Sequence, residues 1–248
     1  HAAKSNVPGE ASARLSDDAV ELISRDYEPE RALSILCLID SAPGMEHPPR
    51  KMHSSMFLLW LFALSAFRQR DSFSCVFFSR GELHTSGWVT REEALREFFH
   101  DFALPAHKKK YAILGADLSR HLSSLRLHDT LVVIISDFLG DEWREDRYQF
   151  RYLSGAGKNI RVIHFALDEW IGFTPLPFDA TLRDVLSGTL RTFSLRDEKE
   201  VAAQKEAQKK RFADVKKTLH AGTAPFVSVP IFENFSRHVY RELLKLGF

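Results

Sequence analysis

Cysteine is scarce: 248 residues hold only two, Cys37 and Cys75. Both lie inside apolar, strand-like runs, so a disulfide framework is excluded and both are expected to be reduced packing thiols of a cytoplasmic protein. Excess charge of either sign is lacking too. Thirty-four Lys and Arg against 33 Asp and Glu leave a formal charge of +1, whereas a nucleic-acid binder concentrates far more basic residues. No apolar run has membrane length. Residues 56–67 come nearest, but they are too few and are bounded by Arg50-Lys51 and by Arg68 and Arg70. A segment apolar all round is expected as a helix buried deep in a large core. No signal peptide is visible, and a chain that starts at His1 is expected to be a fragment or a processed product.

Several chemistries lack their signatures. There is no Gly-Lys-Ser/Thr phosphate loop and no Gly-x-Gly-x-x-Gly fingerprint. Eleven histidines are scattered, and His47 and His53 have no Cys or second carboxylate at zinc spacing. Neither Ser79 nor Ser154 sits in a nucleophile-elbow context. Repeats and low-complexity linkers are also missing.

What remains is an ordinary globular composition, 44% hydrophobic and 27% charged, long enough for one domain with a small appendage. Residues 1–30 form a lead-in that includes an edge strand at 19–27. The core, 31–176, is expected to hold strands at 35–39, 73–78, 83–89, 131–135 and 160–166. Its helices are expected at 52–67, 117–125, 143–153 and from Thr90 to Phe102, the last opened by a Thr90–Glu93 capping box. The last stretch, 177–248, carries a hairpin around Ser187-Gly188, a charged helix from Asp197 to about His220, a strand at 226–229 and an amphipathic helix at 232–246. The Lys run of the charged helix is expected to be a solvated face. Strands alternating with helices predict an α/β fold, a Rossmann-like, doubly wound and mostly parallel sheet.

In such sheets the loops leaving the C-terminal strand ends share one crevice. Three stretches are expected to meet there: Asp40-Ser41-Ala42-Pro43-Gly44-Met45, Gly115-Ala116-Asp117, and Ser136-Asp137-Phe138. Their carboxylates would accept strand-end backbone N–H groups or be neutralised by a nearby cation, Lys51 or Arg50 or one from a partner. Trp143, Trp170, Phe138 and Phe173 could add an aromatic rim, though core packing is the commoner fate of such residues.

With these stretches in their order, nearly the whole chain resembles the von Willebrand factor A-like (vWA) domains, in particular a bacterial group of unknown function found beside MoxR-type AAA+ ATPases. Asp40-Ser-Ala-Pro-Gly-Met45 stands where that family has Asp-x-Ser-x-Ser, Gly115-Ala116-Asp117-Leu118 resembles Gly-Thr-Asp-Leu, and Ile135-Ser-Asp-Phe-Leu139 matches the third signature. In the family these stretches supply the metal-ion-dependent adhesion site. The resemblance implies that its two serines are replaced here by Ala42 and Gly44, and its threonine by Ala116, leaving only Asp40 and Asp137. Hard cations need oxygen ligands in near-octahedral array, so the site is expected to be degenerate, with weak Mg2+ or Mn2+ binding at most and no other cofactor. Ser41 and Ser136 are expected to point elsewhere.

The resemblance thus implies a non-enzymatic protein-binding module, a partner or adaptor of a MoxR-type AAA+ ATPase in complex assembly. Its expected contact surface is Asp40, Ser41, Ala42, Gly44, Met45, Ala116, Asp117, Asp137 and Phe138. Two other readings stay open: a metal-dependent phosphate-ester hydrolase using Asp40 and Asp137, and a structural subunit whose crevice is vestigial.

Overall fold

Seven residues, Ser34-Ile-Leu-Cys-Leu-Ile-Asp40, form the middle of the sheet, and all but the first are buried. A strand covered on both faces has no polar side to show, which is why this run is continuously apolar and does not alternate. The computed structural model describes residues 33–46, 48–79, 82–103, 112–114, 118–125, 127–139, 160–170, 174–183, 190–218, 224–231 and 235–247. In chain order its strands are β1 (Ser34–Asp40), β2 (Ser72–Ser79), β3 (Glu82–Thr85), β4 (Ala112–Leu114), β5 (Thr130–Ser136), β6 (Ile160–Asp168), β7 (Asp179–Arg183), β8 (Leu190–Ser194) and β9 (Phe226–Pro230). The described helices are α1 (Pro43–Glu46), α2 (Pro49–Gln69), α3 (Glu92–Ala103), α4 (Leu118–Ser124), α5 (Glu198–Thr218) and α6 (Phe235–Lys245).

Seven strands form one sheet in the order β4-β3-β2-β1-β5-β6-β9, and β7 pairs with β8 separately. The β2-β1-β5-β6-β9 block is parallel throughout, and β3 alone runs against its neighbours. Alternate residues feed two cores. Ile35, Cys37, Ile39, Phe73, Phe77, Val133 and Phe165 pack under α2, α3 and α6. Leu36, Leu38, Val76, Val132, Ile134 and Phe226 pack under α4 and α5. This is a Rossmann-like, doubly wound α/β architecture.

Sequence expectations and structure agree on the main elements and part at particular places. Strand β3 stops at Thr85, and Val89 returns only as an isolated bridge to Phe73. Gly87, at φ +65°, turns the chain, and the Ser86 hydroxyl takes the Cys75 N–H that a longer strand would have paired. Helix α3 begins at Glu92, which puts Thr90 one residue too early for a capping box. Helix α2 is not buried all round: Phe57, Leu61 and Leu64 stay 37–43% exposed on its outer side. The helix covers β1 and β2 with one face only, and Phe57 meets Phe235 edge-on at 5.5 Å. Cys37 and Cys75 lie opposite each other across β1 and β2, both free and buried, and burial raises both thiols, Cys75 to about 12. They are inert packing groups. Strand β9 belongs to the main sheet, so the last third of the chain completes the core. No helix among the described residues is long and apolar enough to cross a membrane. The expected strand at 19–27, the helix at 143–153 and the Ser187-Gly188 turn lie outside the described residues.

Candidate functional site

The chain leaves β1 toward β2 on one side and later enters β5 on the other, so the order reverses between β1 and β5. That reversal opens a crevice beyond the carboxyl ends of these two strands. Asp40 is the last residue of β1 and Asp137 the first after β5. They are 4% and 2% exposed.

Three neighbouring strands end in the same way. Asp40 Oδ1 accepts the N–H of Ala42 at 2.8 Å, Asp137 Oδ1 that of Leu139 at 2.9 Å, and Asp168 Oδ1 that of Trp170 at 2.8 Å. Each aspartate folds its strand exit into a side-chain-capped turn, a local bond that Asp makes readily and that satisfies a buried amide. Asp168 escaped the sequence reading, although it too ends an apolar run.

The second carboxylate oxygens are served differently. Asp40 Oδ2 accepts the Ser136 hydroxyl at 2.6 Å, and Ser136 Oγ in turn accepts the Phe138 N–H at 2.8 Å. The expectation that Ser136 points away is therefore corrected: Ser136 ends β5 beside Asp40, and its side chain turns into the crevice. Asp137 Oδ2 instead accepts the Lys51 ammonium at 2.7 Å. Lys51 lies in the first turn of α2 and is 2% exposed. Its Nζ also approaches Gly44 O at 3.3 Å and Glu169 Oε2 at 3.4 Å. Burial pushes the Lys51 pKa down, but Asp137 and Glu169 together outweigh it, and the net direction is up. The lysine is charged, and of the two cations considered from sequence it is the one seated on Asp137.

The far wall comes from the C-terminal third. Arg211 of α5 donates to the carbonyls of Phe138, at 3.0 Å, and Leu139. This clamp and the Ser136 bond hold Phe138 at φ +52°, a left-handed conformation costly for an aromatic residue. Beneath it lies His164, whose ring sits 6.2 Å from Phe138 and 6.0 Å from Phe226. Neither of its ring nitrogens forms a hydrogen bond among the described residues. Burial pushes its pKa down to about 4, against an opposing pull from the Pro225 backbone.

Among the described residues the donor set differs from the hydroxyl-rich set of a divalent-ion site. Asp40 is hydrogen-bonded through both oxygens, Asp137 carries an ammonium, and the positions of Ala42 and Gly44 offer no side-chain oxygen. Among the described residues, no group of three His, Cys, Asp or Glu side chains is placed to hold a metal ion.

Of the expected contact residues, Asp40, Ser41, Ala42, Gly44 and Asp137 come together. Ser41 anchors the turn through its N–H to Phe78 O at 2.8 Å. Met45 and Phe138 are fully buried and support the crevice from the two cores. Ala116 and Asp117, with Trp143 and Phe173, lie outside the described residues; Trp170 is half-buried at the β6 exit and His53 is exposed on α2. Glu169 and Arg211 were missed, since an exposed-looking Glu and one cation in a Lys-rich helix carry no local signal. Neither the models of known protein families nor the curated proteins match this chain.

Proposed function

We propose that this chain is a vWA-like protein-binding module with a degenerate adhesion site, which engages its partner without a metal and performs no catalysis. One observation supports this reading best: a crevice at the switch point of the sheet whose carboxylates are already paired by Ser136 and Lys51. A hydrolytic use of Asp40 and Asp137 draws no comparable support, since Lys51 already balances the Asp137 charge that a metal would otherwise answer. On the sequence resemblance, the partner is a MoxR-type AAA+ ATPase or a complex that it remodels, met in the cytoplasm by the accessible rim at Ser41, Ala42, Pro43, Gly44, Glu46 and Leu139.

The test is capture of a purified MoxR-type ATPase by the full chain in EDTA and in millimolar Mg2+. Equal capture in both, lost on Ala42→Arg or Glu46→Arg at the rim and kept on Lys209→Glu with Lys216→Glu in α5, is the expected result. Capture abolished by EDTA would overturn metal independence. Capture lost only with the α5 changes would move the docking surface to that helix and favour the vestigial crevice.

A further inference from the structure

The geometry points to Lys51 as the resident cation of the crevice, a built-in ammonium that does the holding a bound divalent ion would otherwise do. An ammonium has three N–H donors and no acceptor. Lys51 Nζ has three oxygen partners from three segments: Asp137 Oδ2 after β5, Gly44 O in α1 and Glu169 Oε2 after β6. Two donors are hydrogen-bonded, to Asp137 and Gly44, Glu169 adds an ion pair, and one positive charge joins the exits of β1, β5 and β6. A metal at Asp137 Oδ2 would have to share that oxygen with an ammonium 2.7 Å away and meet its like charge.

The surroundings fit that role. Lys51 and Asp137 side chains are each 3% exposed, so water does not neutralise either, whereas Glu169 is 25% exposed and closes the pair from the solvent side. A Cβ at Gly44 would stand 3.5 Å from Asp137 Oδ2, an ordinary contact. There is thus space for a Cβ at that position. Lys51 is a positioning residue: it fixes the three turns that form the rim. The inference rests on the metal-independent reading above, but its test uses the chain alone, so failure of partner capture and failure of this assignment are separable.

The experiment removes the ammonium and asks whether another cation replaces it. Lys51→Met is expected to lower the melting temperature at pH 7 and to regain about 5 °C in 10 mM Mn2+, with wild type moving by less than about 1 °C. Lys51→Met with Gly44→Ser is expected to bind Mn2+ more tightly than Lys51→Met alone, because it adds a hydroxyl ligand. The stability deficit of Lys51→Met should also shrink on acidification, as the unpaired carboxylates take up protons, and Lys51→Arg should restore most of it. Equal Mn2+ stabilisation of wild type and variant, no response of Lys51→Met to Mn2+, or an unchanged melting temperature would each overturn the proposal. Should Lys51→Met fail to fold, 15N NMR of the native chain decides. A lysine ammonium protected from exchange and coupled to an aspartate carboxyl carbon is expected, and its absence overturns the assignment.

Discussion

Asp40 and Asp137 stand on adjacent strands, end the same kind of apolar run and cap the same kind of turn, yet their second oxygens meet different donors. Asp40 gives its second oxygen to the neutral hydroxyl of Ser136, and Asp137 gives its own to the ammonium of Lys51. The Asp40–Ser136 bond joins two strand ends, while Asp137 is tied to α1, α2 and β6 through one cation. Two residues that share a local motif differ in the distance over which they organise the fold. Removing a hydroxyl from a carboxylate costs a hydrogen bond, whereas removing a buried counter-ion leaves a charge uncompensated.

The contrast is broken most directly at Lys51. Lys51→Met is expected to destabilise the chain by about 3–5 kcal/mol in urea denaturation, the usual cost of stranding one partner of a buried pair. Adding Asp137→Asn to it should recover a large part of that loss. A double-mutant cycle with Asp40→Asn in place of Asp137→Asn should show much weaker coupling. Equal coupling to both aspartates would erase the distinction.

His164 sharpens the comparison from below, because it packs under Phe138, next to Asp137, and on the opposite sheet face from Cys37. A free histidine titrates near 6.5, and this one near 4. Between those values the unfolded chain binds a proton that the folded chain refuses. Its contribution is therefore complete above pH 6.5, falls as pH drops toward 4 and levels off below it. The loss amounts to about 3 kcal/mol. Urea titrations from pH 7 to 4 should show a shallower acid slope in His164→Phe than in wild type; identical slopes would refute the assignment.

Ser136→Ala is the next smaller step. It removes the Asp40 bond and the acceptor of the Phe138 N–H together, and should cost about 2 kcal/mol. That is less than Lys51→Met, and the ranking is checked by the same denaturation series. Arg211→Met should cost least, about 1 kcal/mol, since it frees two backbone carbonyls at a partly open edge. Its sign is that of a clamp: hydrogen exchange at Leu139 should quicken while the strands stay protected.

Much of this was legible before any coordinates. The continuous apolar runs at β1, β5 and β6 mark buried parallel strands because strands covered on both faces need no polar alternation. Asp40 and Asp137 mark the exits of β1 and β5, because a carboxylate stops a core strand and folds its own turn. What could not be read was the meeting of Lys51 with Asp137 and Glu169, separated by 86 and 118 positions in the chain. Ser136 illustrates the same limit. Its place beside Asp40 follows from β1–β5 register, in which Ile39 faces Ile135, and register belongs to paired strands.

The sequence by itself thus determined the alternation of strands and helices, the inert buried thiols, and side chains without hydroxyls at Ala42 and Gly44. These follow from local pattern and residue chemistry. Only the tertiary structure decided which charge answers which carboxylate, that α2 keeps an apolar stripe outward, and that α5 reaches back to hold the β5 exit. Electrostatic pairing and packing depend on distance in space, and distance along the chain does not encode it.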